Sequence, residues 1–117
     1  MALEIVTGPV IEAGESLSDG VDCTAGNIVR ITMPADWESG NLTFQISSDG
    51  EGYNDLYDYF GDPLTMVVRP GAAVIIHGGL ATNAALAYLK FRSGTPEHPV
   101  VQKDRREFAI ALHVPDA

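Results

Sequence analysis

The sequence predicts an all-β protein, folded as a single antiparallel β-sandwich of jelly-roll-like form with about seven or eight short strands. Two observations lead to this fold class. Apolar and polar residues alternate with a period of two along much of the chain, as they do in strands with one buried face. Turn residues, chiefly glycine and proline, interrupt the alternation about every eight to twelve residues. We therefore expect one β-sandwich domain over residues 1–117.

The segments that carry this pattern follow one another along the chain. "NIVRITM", "NLTFQIS", "LTMVVR", "ALAYLKFRS" and "REFAIALHV" are rich in the β-branched and aromatic residues that suit a pleated, half-buried surface. The run "AAVIIH" is apolar throughout, which predicts a strand buried on both faces. The residues predicted to form the core are Phe44, Ile46, Val67, Ile75, Leu89, Phe91, Phe108, Ile110 and Leu112.

Length and composition allow this core to form without metals or cross-links. The chain has 117 residues, of which 45% are apolar, and a domain of this size buries about two-thirds of its unfolded surface. Cys23 is the single cysteine, so it forms no internal disulfide, and we expect it to be a small buried residue. We expect no cofactor. The N-terminal "MALEIVTGPVIE" lacks the basic flank of a signal peptide, and the apolar runs are too short to span a membrane.

Charge is distributed unevenly along the sequence. The net charge is −9, and residues 1–68 carry twelve acids against one base, Arg30. An acidic surface repels phosphate backbones, so we expect no nucleic-acid partner. The basic cluster of Lys103, Arg105 and Arg106 is a candidate intersubunit patch that could meet an acidic face on a neighbouring copy. The alternative interpretations are solubility for the acids and a strand edge protected from pairing for the bases.

The acidic, aromatic stretch of residues 44–63, "FQISSDGEGYNDLYDYFGDP", contains a strong turn signal. Asp49-Gly50 lies between two alternating segments and predicts a β-hairpin, because glycine adopts the left-handed conformation without a side-chain penalty. A calcium loop of the EF type is not indicated. Counted from Asp49, the fifth position, where an oxygen ligand is needed, is Tyr53.

The same stretch offers the ingredients of a carbohydrate platform. Sugars stack their apolar faces on aromatic rings and form hydrogen bonds to neighbouring carboxylates and amides. The competing interpretation is that the tyrosines pack within the sandwich and that the lone tryptophan caps its own core. Aromatic residues also concentrate binding energy at protein interfaces. The candidate ligand or interface residues are Trp37, Asp49, Tyr53, Asn54, Asp55, Tyr57 and Tyr59.

No constellation of residues in the sequence indicates catalysis. There is no serine in a G-x-S-x-G elbow, and Cys23 has no histidine near it in the sequence. The histidines, His77, His98 and His113, lie in separate segments without the spacing of a zinc site. We therefore expect a protein that is not an enzyme, with neither catalytic nor metal-binding residues.

The ordered segments "MPADWESGNLTFQISSDGEGYNDLYD", "RPGAAVIIHGG", "LAYLKFRSGTPEHPVVQ" and "REFAIALHV" resemble small structural proteins of tailed phages, prophages and gene transfer agents. The resemblance covers residues 28–114. It implies a virion component, such as a decoration, head-fibre or tail-associated protein, assembled in the bacterial cytoplasm. Its partners would be other virion proteins and further copies of itself, in a homo-oligomer that is a trimer or larger.

The chain is also similar to discoidin-like and carbohydrate-binding jelly rolls. They share the S-x-D-G turn, "SSDG" here, and a late strand that ends like "RSGT". This second similarity implies a carbohydrate-binding module that recognises a glycan on a host surface.

Overall fold

The computed structural model of the protein describes residues 2–38, 40–76 and 88–114. Within these ranges the chain forms strands and no helix, which confirms the all-β prediction. The described part therefore holds no helix able to cross a membrane. The strands are β1 (Ala2–Ile11), β2 (Leu17–Asp22), β3 (Asn27–Thr32), β4 (Leu42–Ser47), β5 (Asn54–Asp55), β6 (Ala73–Ile75), β7 (Tyr88–Ser93) and β8 (Arg106–Val114).

The strands form two four-stranded sheets, sheet A in the order β1-β8-β3-β6 and sheet B in the order β2-β7-β4-β5. Antiparallel pairs join β1 to β8, β2 to β7, β3 to β6 and β4 to β5. The chain is therefore a long ribbon folded back on itself at the turn between β4 and β5. The pairs β3 with β8 and β4 with β7 then roll this ribbon into two layers. This arrangement is the jelly roll that the sequence predicts.

The core lies between the two sheets and is built around aromatic rings. Phe91 meets Phe44 and Phe108 edge to face, with ring centroids 5.4 and 5.2 Å apart. All three are at most 1% exposed. Edge-to-face pairs add about 0.5–1.5 kcal/mol each to the stability that comes from burying the rings. The alternation predicted for β4, β7 and β8 is confirmed: their buried residues include Phe44, Leu89, Phe91, Phe108, Ile110 and Leu112, and Ile46 is half-buried against the same cluster.

Two of the predicted core residues are wrong, each by one position. Val67 and Ile75 are 70% and 76% exposed, whereas their neighbours Val68 and Ile76 are buried. Polar residues mark the outward side in both runs, because Thr65 and Arg69 alternate in step with Val67 and His77 alternates in step with Ile75, but the prediction did not use them. In an extended chain, a shift of one residue sends every side chain to the opposite face. The prediction that this run forms a strand buried on both faces is also wrong. Ala73 and Ile75 are exposed on the outward side of β6, which is the edge strand of sheet A.

Candidate functional site

The outer face of sheet A is largely apolar. Its exposed large side chains are Leu3, Ile5 and Ile75, at 61%, 57% and 76% exposure. The strand register places them in one surface together with small residues of the central strand β8. We call this surface the apolar face; its residues are Leu3, Ile5, Thr7, Arg30, Thr32, Ala73, Ile75, Ala109, Ala111 and His113.

The apolar face carries little charge on a molecule of net charge −9. None of its residues is an acid, and Arg30 is its one arginine. The nearest outward-facing acid of β8 is Glu107, at the end of the face, where Arg105 Nη2 lies 3.2 Å from Glu107 Oε2. The sequence contained a signal for this surface, because the outward side of β8 reads Glu107, Ala109, Ala111, His113 and is apolar in its middle.

The outer face of sheet B is polar, and its side chains bind one another. The Arg92 guanidinium forms an ion pair with Asp55, and its other terminal nitrogen lies 3.4 Å from Thr43 Oγ1. Gln45 Nε2 donates to Asp55 Oδ1 at 3.1 Å. The hydrogen bond from Arg92 is the main cause that lowers the pKa of the Asp55 carboxyl group. Asp55, a predicted ligand residue, is thus held in an ion pair within its own chain.

A groove of about 510 Å³ lies beside this polar network on sheet B. Lys90 Nζ lies 4.4 Å from the centroid of the Tyr53 ring, a cation–π contact that covers one face of the ring. Burial raises the pKa of the Tyr53 hydroxyl. Tyr53, another candidate from the sequence, is therefore half-buried, with one face of its ring covered by a side chain of its own chain. The groove is lined by Asp19, Gly20, Asp22, Gly50, Glu51, Tyr53, Tyr88 and Lys90.

The turn after β4 has the hairpin geometry that the sequence predicts, and it explains the role of Asp49. Gly50 adopts a φ of +83°, in the left-handed region. The backbone N–H groups of Glu51 and Gly52 donate to Asp49 Oδ1 at 2.9 and 3.1 Å. These bonds lower the pKa of the Asp49 carboxyl group. The returning strand β5 contains only Asn54 and Asp55, so the pairing that follows the turn is short.

The loop of residues 58–62 presents two aromatic side chains to solvent. Tyr59 is 91% exposed and Phe60 is 75% exposed, and their ring centroids are 4.2 Å apart at an interplanar angle of 31°. The backbone N–H groups of Phe60 and Asp62 donate to Asp58 Oδ1 at 2.9 and 3.1 Å. The Asp58 N–H donates to the Asp62 carbonyl at 2.8 Å. We call Tyr59 and Phe60 the aromatic tip; it is a pair of rings on a loop closed by its own hydrogen bonds.

Trp37 lies in the core and not at a surface. It is 4% exposed, its ring meets Phe108 edge to face at 5.5 Å, and its Nε1–H donates to the Gly40 carbonyl at 3.0 Å. With its single polar group bonded inside the chain, Trp37 offers neither a ring face nor a donor to a partner. The expectation that Trp37 lies at an interface was wrong, and the alternative, that it caps its own core, is what the structure shows.

Two residues of the basic patch predicted around Lys103, Arg105 and Arg106, form ion pairs with acids of the same chain. Arg106 is 3% exposed, and its two terminal nitrogens lie 2.6 Å from Asp36 Oδ2 and 2.9 Å from Glu38 Oε1. Arg105 forms exposed ion pairs with two glutamates. Arg106 was therefore wrongly placed in an intersubunit patch, because its charge is neutralised by acids about seventy residues earlier in the chain.

The remaining candidates lie near the aromatic tip. Tyr57 is 45% exposed and bridges to Pro63 across the base of the tip loop, and Asn54 is exposed on β5. The structure therefore separates the predicted aromatic residues: Trp37 is buried, Tyr53 is partly covered, and Tyr57 and Tyr59 remain at the surface. Phe60 was not among the predicted residues, although it follows Tyr59 in the same loop.

Comparisons of the chain with protein-family models, with curated proteins and with solved structures find no match. In the described ranges, no three or more His, Cys, Asp or Glu side chains are grouped so that they could hold a metal ion. The surface features that remain are the apolar face and the aromatic tip. Both suit association through buried apolar area.

Proposed function

We propose that this protein is a non-enzymatic structural or accessory protein of a phage-like particle, acting by self-association and by attachment to the particle surface. The observation that carries the proposal is the apolar face of sheet A. Large exposed apolar surface on a domain marks an interaction site, whereas single exposed apolar residues need no such explanation. Here three exposed large apolar side chains share one sheet face, with Arg30 between Ala111 and Ile75 in one row. The particle context rests on the resemblance of residues 28–114 to structural proteins of phages and gene transfer agents. The jelly roll is compatible with it, since viral capsid domains use this fold.

The low charge of the apolar face favours a second copy of the chain as its partner. Two molecules of charge −9 repel each other, and the repulsion is weakest where the approaching surfaces carry the fewest acids. The apolar face is such a surface, because the outward residues of sheet A that form it include no carboxylate. Self-association through any acid-rich surface would place like charges opposite one another.

The expected strength of this association is modest. Burying Leu3, Ile5 and Ile75 yields about 1.5–3 kcal/mol each. Association costs roughly 4–15 kcal/mol in lost freedom of motion, so these three side chains about offset the lower part of that range. Stable assembly therefore needs further contacts, and the oligomer should dissociate on dilution.

The proposal is tested by measuring the molar mass of the protein with light scattering over a range of concentrations. We expect a closed oligomer, a trimer or larger, and we expect Ile5→Lys and Ile75→Lys to shift it to monomer. Val101→Lys is the matched control, because Val101 is 57% exposed like Ile5 but lies outside the apolar face. A wild-type protein that stays monomeric at every concentration and is absent from purified particles would refute the proposed function.

Carbohydrate binding is the second candidate, and the exposure of Tyr59 favours it. A ring that is 91% exposed can stack against a sugar, and the Asp62 carboxylate lies in the same loop as a hydrogen-bond acceptor. Host-surface glycans would be the ligands. Calorimetric titration with glycans should give binding that Tyr59→Ala removes and that Trp37→Phe, a change inside the core, leaves in place. Wild-type protein that binds no member of a glycan array excludes this candidate.

A further inference from the structure

The aromatic tip and the apolar face hold most of the exposed large apolar side chains in the described part of the chain. They belong to different parts of the fold. The aromatic tip follows β5, the edge strand of sheet B, whereas the apolar face is the outer surface of sheet A. The rings of Tyr59 and Phe60 contact each other, and most of the surface of both side chains is exposed to water.

We propose that the aromatic tip of one copy packs against the apolar face of the next copy. This inference rests on the self-association proposed above and names the two surfaces that meet. The contact is heterologous, because the patches that touch are different on the two copies. Heterologous contacts generate rings where the rotation closes, and filaments where it does not.

The two surfaces offer exposed apolar side chains to each other. On the apolar face these are Leu3, Ile5 and Ile75, since Ala111 on β8 is only 1% exposed and Ala109 is half-buried. The aromatic tip is a protruding group whose loop is closed by hydrogen bonds from its backbone to Asp58. A loop held in its binding conformation loses little freedom when it binds, which removes part of the cost of association.

The charges beside the two surfaces are opposite. Asp62 is exposed at the end of the tip loop, and Arg30 is exposed within the apolar face, in the same cross-strand row as Ala111 and Ile75. The apolar face adds no carboxylate that would repel the acids of the tip loop. Complementary charges of this kind select the partner surface and fix its orientation more than they add affinity.

The size of the contact predicts how it behaves. Two aromatic side chains bury about 150–250 Å² each, so the tip and the surface it covers together lose roughly 600–1,000 Å². That total lies at or below the low end of specific interfaces. One contact alone is therefore weak, and copies that close a ring, in which each contributes one tip and one face, are held together better than an open pair.

Mixing two assembly-defective variants tests the inference. The tip variant carries Tyr59→Ser and Phe60→Ser, and the face variant carries Ile5→Lys and Ile75→Lys. Each should be monomeric alone, because each lacks one of the two surfaces. An equimolar mixture should form heterodimers, since the intact tip of the face variant can dock on the intact face of the tip variant. Circular dichroism and thermal melting check that both variants remain folded.

Charge reversal provides the second test. Arg30→Glu should raise the concentration needed for assembly several-fold at low salt, and so should Asp62→Lys, whose side chain takes no part in the bonds that close the tip loop. The double variant should recover assembly at low salt, because the two charges again attract. Lys103→Glu and Glu97→Lys make the same changes of charge at exposed positions away from both surfaces and should leave assembly unchanged.

The outcomes separate this inference from the proposed function. If the wild type assembles and the tip variant assembles equally well, the apolar face packs against something other than the tip, and the inference is refuted while self-association stands. A mixture of the two variants that remains monomeric even at concentrations far above those at which the wild type assembles refutes it as well. A wild type that is monomeric at all concentrations refutes both proposals.

Discussion

The two sheets of this jelly roll differ most on their outer faces. On sheet B, Arg92 binds Asp55 and Thr43, and Gln45 binds Asp55, so the outward side chains satisfy one another. On sheet A, Ile5 and Ile75 have no comparable partners across the sheet and lie in water. A sheet face whose polar groups are already bonded within the chain needs no partner to satisfy its hydrogen-bonding groups. An apolar face gains stability when its side chains are buried against another surface, which is why we place association on sheet A.

The largest expected effect is a difference in the free energy of unfolding between substitutions at two adjacent positions, one facing the core and one facing solvent. Ile76→Ala should lower the free energy of unfolding by about 2–5 kcal/mol, because it opens a cavity in the core. Ile75→Ala, one residue earlier and exposed, should change it by less than about 0.5 kcal/mol. Urea denaturation of the two variants, at concentrations where both are monomeric, measures this difference. Equal losses of stability would show that the inward and outward positions at the end of β6, Ile76 just after the strand and Ile75 within it, are assigned wrongly.

A smaller effect tests whether the ion pair and hydrogen bonds on the outer face of sheet B stabilise the fold. Arg92→Ala removes the partner of Asp55 and Thr43, and we expect a loss of about 1.5–3 kcal/mol in the free energy of unfolding. Lys90→Ala lies two residues earlier on the same face and removes only the contact with Tyr53. It should cost about 0.5–1 kcal/mol. If chemical denaturation shows that Lys90→Ala costs more than Arg92→Ala, the ion pair does not stabilise this face.

The smallest effect concerns pH and again distinguishes the two faces. The pKa of Asp55 is lowered in the folded protein, chiefly by the hydrogen bond from Arg92, so its contribution to stability is present above the unfolded-state pKa of about 3.9. That contribution is lost as the pH falls through the lower, folded-state value. Melting temperatures measured from neutral pH to below about pH 4 should therefore fall less steeply for Asp55→Asn than for the wild type. Parallel curves for the two proteins would mean that the ion pair adds nothing.

How far the sequence predicts the structure depends on whether polar residues mark the phase of a strand. In β8 and β4 they do, and the inward positions of Phe108 and Phe44 are predicted correctly. In the runs around Val67 and Ile75 the polar marks lie only at the ends, at Thr65 and Arg69 in one and at His77 in the other. They place Val67 and Ile75 outward, but the prediction did not use them and was one residue off. Local alternation contains no information about which distant residues meet, so the burial of Arg106 against acids some seventy positions away was not predictable.

Only part of the candidate site was predicted from the sequence: residues within one segment were found, and a surface built from distant strands was not. Tyr59 was one of seven candidate ligand or interface residues, with packing inside the sandwich as the competing interpretation of the tyrosines, and the structure places it at the surface. The apolar face was missed because it is assembled from strands far apart in the sequence, with Ile5 and Ile75 brought into one row by pairing through β8 and β3. No single segment contains that surface. The apolar face forms only when β1, β8, β3 and β6 pair in the folded sheet.

Sedimentation equilibrium of the wild type and of Ile75→Lys, over a hundredfold range of protein concentration, tests most directly whether the apolar face is an assembly surface. We expect the average mass of the wild type to rise with concentration towards a closed oligomer, while Ile75→Lys stays at the monomer mass of 12.5 kDa with its fold intact. A wild type that remains at that monomer mass throughout, or a folded Ile75→Lys variant that assembles as the wild type does, would contradict the assignment.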